Sequence, residues 1–244
     1  MPSLKPSFSI FPLGDSAVTI DLGNDINEEL NRKALAIRQW LEAHPPKGIL
    51  DIIVAYSSVS IYYDPEIFRK ETPACRQGAY ACLRQLLETA WEEVAAAVGT
   101  IVPAEEKERP IIEIPVCYEG EYAPDLESFA RMKALSPDEV VRLHTAPLYQ
   151  VYMIGFLPGF PYLGTVDPKL AAPRKPMPFP VIAGGVGIAG SQTGIYTLNS
   201  PGGWHIIGRT PIRLFDPVAD PPVRLKTGDK VRFSTIPAAD FREF

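Results

Sequence analysis

Residues 185–211 read GVGIAGSQTGIYTLNSPGGWHIIGRTP and decide the fold of the second half of the chain. Short apolar and β-branched runs alternate here with Gly, Ser, Asn and Pro, which end strands and form turns. Strands are predicted in this half at 111–116, 151–154, 186–189, 194–198, 205–207, 212–215 and 230–233. Short helices are predicted at 125–135 and 136–144. Five or more short strands joined by turns are typical of a closed or nearly closed barrel.

Two glycine patterns in this half imitate nucleotide-binding motifs. Gly185, Gly187 and Gly190 have the spacing of the dinucleotide fingerprint, but that motif requires a helix directly after it. Residues 195–197 read Ile-Tyr-Thr, which predicts a strand instead. Residues 159–164 have the glycine spacing of a phosphate loop without its lysine. Neither pattern therefore supports a nucleotide site in this chain.

The first hundred residues show a different pattern. Strands rich in β-branched and aromatic residues are predicted at 8–12, 17–22, 49–55 and 59–63. Two amphipathic helices are predicted at 27–44 and 77–98. Two repeats of strand, strand and helix predict an α+β domain over residues 1–100, with one sheet covered by two helices. The charged, proline-bounded segment 99–110 predicts a linker, and residues 111–244 then form the mainly-β barrel domain.

Composition restricts the classes of function. The net charge of −5 provides no basic surface for nucleic acid or for an anionic membrane. No segment resembles a membrane span or the apolar core of a signal peptide, so we expect a cytoplasmic protein. Cys75, Cys82 and Cys117 lack the spacing of a zinc site and are expected to be buried free thiols. The three histidines are scattered, so no metal site is predicted.

Three ordered blocks of the second half resemble a known family. They are GFLPGFPYLG at 155–164, AGSQTGIY at 189–196 and SPGGWHIIGRTP at 200–211. The blocks are similar to the GFxPGFxYLG, IAGxQTGIY and SPGGWxxIGRTP segments of the KipI/PxpB family, also called allophanate hydrolase subunit 1. Shorter similarities at 57–65, 114–118, 124–126 and 228–233 extend the resemblance over the whole chain.

The resemblance implies a cyclophilin-like β-barrel after an α+β domain. It also implies one subunit of an ATP-dependent 5-oxoprolinase, which opens L-5-oxoproline to L-glutamate. Such a subunit is expected to be inactive without a larger PxpC-like subunit and a PxpA-like lactam-utilisation protein, with ATP bound by the complex. Two alternatives stay open within the family. One is an inhibitor of a sporulation sensor histidine kinase, and the other is an allophanate hydrolase subunit 1 type component of urea degradation.

The reaction implied by the resemblance selects three candidate catalytic residues. Opening an unstrained lactam with ATP requires cations or donors for phosphate and for the substrate carboxylate, together with a base. Arg174 and Arg209 can each present a two-point fork to an anion, and Arg209 can instead pair with an acid such as Asp216. His205 is either a general base or a packed, hydrogen-bonded histidine.

Other residues of the three blocks are candidates for binding the substrate or a partner protein. They are Phe156, Phe160, Tyr162, Gln192, Thr193, Tyr196 and Trp204. The aromatic side chains either fill the barrel core or line an exposed groove. The Gln192-Thr193 pair either binds a ligand or closes a turn.

The chain departs from the family pattern at two positions. Members of the family usually have two Pro-Arg pairs followed by Val-Pro-Ala-Gly-Ser-Val. This chain keeps Pro173-Arg174 but has Pro178-Phe179 near the second pair, and Gly185 replaces the serine. The segment therefore lacks the family's second arginine for an anionic ligand, and Arg174, like Arg209, either binds an anion or pairs with a nearby acid.

Overall fold

The computed structural model describes residues 8–23, 25–72, 77–97 and 110–242. The chain divides into two compact units, residues 1–108 and 109–244. The predicted linker at 99–110 lies outside the described residues except for Pro110.

The first unit is a four-stranded antiparallel sheet with helices packed on one face. Its strands are β1 (Ser9–Pro12), β2 (Ala17–Asp21), β3 (Ile49–Val54) and β4 (Ser58–Tyr63). They pair in the order β1-β2-β4-β3. Its helices are α1 (Glu28–Ala43), α2 (Pro65–Glu71) and α3 (Ala79–Ala97).

Local sequence explains where the helices of this unit begin. The side-chain oxygen of Asn27 accepts the backbone N–H of Glu29 at 2.8 Å and caps α1 as predicted. The helix α2 was not predicted, because Asp64-Pro65 directly follows the strand predicted at 59–63 and a proline there is also typical of a strand end. Asp64 in fact caps α2, with Pro65 in the first turn, and Phe68 then packs into the core.

The second unit contains a seven-stranded sheet that curves into a nearly closed barrel, and two further short strands pair outside that sheet. Its strands are β5 (Ile112–Val116), β6 (Tyr149–Ile154), β7 (Pro161–Gly164), β8 (Phe179–Val181), β9 (Gly185–Ala189), β10 (Gln192–Ile195), β11 (Ser200–Gly202), β12 (His205–Arg209) and β13 (Lys230–Thr235). Two helices, α4 (Leu126–Met132) and α5 (Pro137–Thr145), follow β5. The sheet order is β12-β9-β10-β7-β6-β13-β5, and β8 pairs separately with β11.

The two edges of the seven-stranded sheet meet at one pair of residues. Cys117, next to β5, exchanges two backbone hydrogen bonds with Arg209 of β12, at 2.8 and 2.9 Å. This bridge brings the first and last strands of the sheet order together, so the prediction of a nearly closed barrel is confirmed. A closed sheet has few unpaired edge groups, which removes a template for aggregation.

Alternation along the strands divides the side chains between two faces. Val186 and Ile188 of β9 point into the main core of the barrel, which is built from buried aliphatic and aromatic residues. Ala189 belongs to a smaller buried cluster on the opposite side of the sheet, which we call the outer face. The outer-face cluster consists of Phe160, Val181, Ala189, Tyr196, Trp204 and Ile206.

Three details of the second unit differ from the sequence-based expectation. Residues 212–215 are not a strand, and only Phe215 forms an isolated bridge, with Val223. The short strands β8 and β11 were missed because each contains a proline, which reads as a turn signal. They pair with each other outside the main sheet, where a missing N–H is tolerated.

The cysteines and the helices bear on two further expectations. Cys117 is a buried free thiol as predicted, but Cys82 is disulfide-bonded, so the expectation of free thiols is wrong there. Cys75 lies outside the described residues. In the parts of the chain that the structure describes, no helix combines the length and the apolar character needed to cross a membrane.

Candidate functional site

An aromatic cluster formed by Phe160, Tyr162, Tyr196 and Trp204 covers the outer face of the barrel. The ring centroid of Phe160 lies 4.8 Å from that of Tyr162 and 5.2 Å from that of Tyr196. The ring of Trp204 lies 5.5 Å from that of Phe160, nearly perpendicular to it. Tilted and edge-to-face contacts of this kind are favourable for aromatic pairs. Tyr162 is half-buried, so this side chain reaches the surface from an otherwise buried layer.

Glycines in the sheet make room for this cluster. A Cβ atom added to Gly194 of β10 would lie 2.8 Å from the Phe160 ring, so any side chain there would displace the ring. Gly185 is equally constrained, because an added Cβ would lie 2.8 Å from Val181 and 3.0 Å from the carbonyl oxygen of Ile182. The serine expected from the family pattern at Gly185 therefore has no space in this chain.

Phe156 marks the exposed edge of the cluster. Its side chain is 61% exposed, and its ring lies 5.6 Å from that of Phe160 and 6.2 Å from that of Tyr196. Its φ of 68° lies in the left-handed region, which costs a residue with a side chain about 1–2 kcal/mol. Such strain is most often retained where the resulting side-chain position has a use.

Arg174 lies beside this cluster in an exposed segment whose backbone is held on both sides. The backbone N–H of Lys175 donates to the carbonyl oxygen of Gly203 at 2.7 Å. The ring nitrogen Nε2 of His205 lies 3.0 Å from the carbonyl oxygen of Pro173, and must therefore carry the proton and donate. His205 therefore makes a hydrogen bond through Nε2 that holds the segment before Arg174.

The charge of Arg174 acts on two hydroxyl groups of the cluster. Burial raises the pKa of Tyr162, and the Arg174 guanidinium offsets part of that effect. Burial also raises the pKa of Tyr196 to about 12, against the smaller effects of the Trp204 backbone N–H and of Arg174. Both hydroxyls are therefore neutral near pH 7, so they are hydrogen-bond donors beside a cation. A guanidinium beside a neutral hydroxyl can bind an anionic group.

Asp125 connects the Arg174 segment to the barrel. Its Oδ2 atom lies 2.5 Å from the Lys175 ammonium and accepts the backbone N–H of Ile206 at 2.6 Å. The Asp125 backbone N–H donates in turn to the carbonyl oxygen of Ile206 at 3.0 Å. The same carboxylate thus holds strand β12 and the residue that follows Arg174.

Arg209 does not join Arg174. It ends β12, four residues after His205, which corresponds to roughly 13 Å along an extended strand. Its Nε donates to the carbonyl oxygen of Ala183 at 2.9 Å, and its guanidinium carbon lies 5.4 Å from the Phe241 ring centroid. The acid suggested as its partner, Asp216, is instead 3.4 Å from Arg213. Arg174 therefore lies in a segment next to the start of β12, whereas Arg209 lies at the end of that strand.

Thr193 lies on the core side of β10 in a buried chain of hydrogen bonds. Its hydroxyl donates to the carbonyl oxygen of Gly187 at 3.0 Å, so its oxygen accepts from Nε2 of His144 at 2.9 Å. Nδ1 of His144 then accepts from the hydroxyl of Tyr118 at 2.8 Å. Burial lowers the pKa of His144 to about 3, which keeps the ring neutral. Gln192, the preceding residue of β10, is buried on the opposite face.

Comparison with known proteins gives the family. A family model described as carboxyltransferase domain, subdomain C and D, matches residues 8–225. The B subunit of 5-oxoprolinase from Bacillus subtilis strain 168 is 43% identical over 238 residues, which are 97% of this chain and 96% of that protein. The chain belongs to the family of 5-oxoprolinase B subunits. The resemblance to the KipI/PxpB family in the sequence is thereby confirmed.

Other members and a solved structure extend the comparison. The B subunit of 5-oxoprolinase from Escherichia coli O157:H7 is 47% identical over 223 residues, which are 91% of this chain and 93% of that protein. The crystal structure of TTHA0988 matches with a TM-score of 0.71 and 39% identity. That match covers 90% of this chain but only 39% of the chain of TTHA0988. The fold of this family thus occurs there as part of a longer polypeptide.

Phe179 lies near the position where the resemblance implies a second Pro-Arg pair, and it makes an aromatic contact with a cation. Phe179 is 52% exposed, and the Lys175 ammonium lies 4.9 Å from its ring centroid. A cation at this distance over an aromatic face is attracted by it. The Lys175 ammonium thus contacts the Phe179 ring and the Asp125 carboxylate at the same time.

Sequence reasoning missed the residues that act at a distance from the three blocks. Asp125 was interpreted as the start of a helix and His144 as the end of one. Their partners Ile206 and Thr193 are 81 and 49 residues away in sequence, so no local pattern pairs them.

Among the described residues, no three His, Cys, Asp or Glu side chains are arranged to hold a metal ion.

Proposed function

We propose that this chain is the B subunit of an ATP-dependent 5-oxoprolinase, to which it contributes the site that binds the substrate carboxylate. The observation that supports this most directly is the exposed Arg174 guanidinium beside the neutral hydroxyl of Tyr162, in a chain that belongs to the family of 5-oxoprolinase B subunits. The proposal makes Arg174 a binding residue and leaves the chemical step to the assembled enzyme.

The substrate fits the character of this site. L-5-Oxoproline is a small five-membered lactam that carries a carboxylate next to its ring nitrogen. The planar guanidinium of Arg174 can bind that carboxylate through two parallel hydrogen bonds. The Tyr162 hydroxyl can donate a third, and the exposed ring of Phe156 offers an apolar surface for the lactam ring. An ionised ligand beside protonated phenols avoids the repulsion that phenolate groups would cause.

The reaction also requires ATP, which we assign to the complex. Transfer of the γ-phosphoryl group to the lactam oxygen releases ADP and makes the ring carbon electrophilic. Water then adds to that carbon, and the ring C–N bond breaks with protonation of nitrogen, which leaves γ-glutamyl phosphate. A second water hydrolyses this acyl phosphate to glutamate and phosphate. Phosphoryl transfer relies on positioned cations and on a phosphate cradle. The partner subunits are proposed to supply these groups, since the glycine patterns of this chain lack the sequence context of a nucleotide site.

A rim of exposed apolar side chains beside the site is proposed to contact the larger subunit. The rim consists of Phe156, Met177, Phe179, Ile182 and Leu198. The segments that carry it are joined, since Thr197 donates to the carbonyl oxygen of Pro158 at 2.7 Å and the backbone N–H of Ala183 donates to Asn199 at 2.7 Å. Several exposed apolar side chains on joined segments are typical of a protein interface. Contact here would also enclose the Arg174 site.

Arg174→Ala in the co-purified complex tests the binding role. We expect the KM for 5-oxoproline to rise more than tenfold, measured as oxoproline-dependent phosphate release, while the complex still assembles. Arg131→Ala is the matched control, because Arg131 is an exposed arginine on α4 of the same unit. An unchanged KM for Arg174→Ala would remove the anion site from the proposal. Absence of oxoproline-dependent ATP hydrolysis by the unmodified complex would refute the enzymatic function itself.

Ile182→Lys tests the rim. Placing a charge on an apolar contact is expected to weaken binding of the larger subunit at least tenfold, measured by titration calorimetry. Leu50→Lys, at an exposed leucine of the first unit, is the control and should bind normally. Normal binding by Ile182→Lys would place the interface elsewhere.

A further inference from the structure

The carboxylate of Asp125 lies where three parts of the second unit meet. Asp125 directly precedes α4, where an aspartate ordinarily caps the helix, but its side chain makes no capping hydrogen bond. Its Oδ2 atom instead binds the Ile206 backbone N–H at 2.6 Å and the Lys175 ammonium at 2.5 Å. The side chain therefore gives up a local role at its own helix in order to join β12 to the Arg174 segment.

These contacts are shielded from water and reinforced from a second side. The side chains of Lys175 and Asp125 are only 16% and 17% exposed. Charge-assisted hydrogen bonds in such surroundings are stronger than their surface counterparts. The Lys175 ammonium also contacts the Phe179 ring, which leaves it little freedom to move away from Asp125. The position of Lys175 is therefore well defined.

Fixing Lys175 also fixes Arg174, its neighbour in the chain. The backbone before Arg174 is held by the contact of Pro173 with His205, and the backbone after it by the bond from Lys175 to Gly203. Both contacts involve residues close in sequence to Ile206, which Asp125 also holds. Recognition of a carboxylate by a guanidinium fork depends on distance and direction, and a displacement of about 1 Å can cost a hundredfold in rate. Loss of the Asp125 bonds would release the Lys175 side chain and loosen the backbone next to Arg174.

We infer that Asp125 is a positioning residue for the anion site. By binding Lys175 and Ile206 it sets where the Arg174 guanidinium stands beside the aromatic cluster, without itself touching the substrate. The inference rests on the function proposed above and adds a residue that acts only through Arg174.

Asp125→Asn in the intact complex tests this role. The amide keeps an oxygen that can accept the Ile206 N–H but loses the charge that holds Lys175. We expect the KM for 5-oxoproline to rise about tenfold with kcat within twofold of wild type. Lys175→Met removes the other partner of the ion pair and should raise the KM by the same factor. The role can therefore still be tested if one of the two variants folds poorly. The melting temperature of each variant reports folding separately.

A double-mutant cycle distinguishes positioning from a general structural role. If Asp125 acts through Arg174, the change in KM caused by Asp125→Asn should disappear in the Arg174→Ala background. A structural role would give the same fold-change in both backgrounds, and that result would overturn the inference. An unchanged KM for Asp125→Asn in the wild-type background would do so as well.

A matched control variant, together with the results for Arg174→Ala and Asp125→Asn, distinguishes failure of the anion site from failure of the positioning role. Asp216 makes the same two kinds of contact in a more exposed part of the same unit, since it accepts the Val218 N–H at 3.1 Å and pairs with Arg213 at 3.4 Å. Asp216→Asn should leave KM at the wild-type value. If Arg174→Ala raises KM and Asp125→Asn does not, only the positioning role is wrong. If Arg174→Ala itself has no effect on KM, the anion site is wrong, and the inference falls with it.

Discussion

Replacing Thr193 by valine separates a ligand-binding role of this residue from a structural one. Valine has nearly the same shape but removes the hydroxyl that accepts from His144 and donates to the carbonyl oxygen of Gly187. A buried donor left without its acceptor costs about 1–3 kcal/mol, and the second lost hydrogen bond adds about 1 kcal/mol. We therefore expect the free energy of unfolding to fall by about 2–4 kcal/mol.

The assay for Thr193→Val is thermal unfolding combined with activity of the complex. For a chain of this size, 1 kcal/mol corresponds to about 3 °C, so the melting temperature should fall by about 6–12 °C. Thr193→Ser keeps the hydroxyl and should lose much less stability. Below the transition, the KM for 5-oxoproline should be unchanged. A Thr193→Val variant that melts like wild type but binds the substrate poorly would refute the structural role.

Three further predictions concern the rest of the chain. Arg209→Ala removes the hydrogen bond to Ala183, so the free energy of unfolding should fall by about 1 kcal/mol and the melting temperature by a few degrees. Arg209→Lys removes the same hydrogen bond and should have a similar effect. A variant that melts like the wild type but has lost activity would instead place Arg209 in the functional site. Burial lowers the pKa of His144 to about 3, so below pH 6.5 the unfolded chain binds more protons than the folded one, and the free energy of unfolding should decline as pH falls from about 6.5 toward 3. Denaturant titrations at a series of pH values should show that the free energy of unfolding of His144→Asn depends less on pH between about 6.5 and 5 than that of the wild type. The purified chain alone should release no phosphate from ATP with or without 5-oxoproline, and sustained turnover free of partner subunits would contradict this.

Local chemistry made most of the helices and strands predictable. Asn27 starts α1, and Ser136 starts α5 by accepting the backbone N–H of Glu139 at 3.2 Å, because a side-chain acceptor satisfies an otherwise unpaired amide. Where two interpretations of the same residues were possible, the sequence was less informative. Asp64-Pro65 ends a strand and also begins α2, and only packing of Phe68 into the core decides for the helix.

The candidate site was predictable in composition but not in arrangement. The three sequence blocks contain all four residues of the aromatic cluster, but Phe160 and Trp204 are far apart in sequence and meet only in the folded barrel. The separation of Arg174 from Arg209 follows from the direction of β12, which no motif encodes. The contact of Asp125 with Lys175 joins residues 50 positions apart, and such pairings depend on the tertiary fold.

The order in which the barrel strands are made has a consequence for biosynthesis. Strand β5 is the first of the second unit to leave the ribosome, but its parallel partner β13 comes about 119 residues later, as the contact between Glu113 and Arg232 illustrates. Pairings between distant segments form slowly, since a long loop must close before any contact is gained. The nascent chain therefore has to protect its apolar β5 until synthesis is almost finished. We expect a chain truncated before Lys230 to accumulate on chaperones or in inclusion bodies, even though it retains every residue of the anion site.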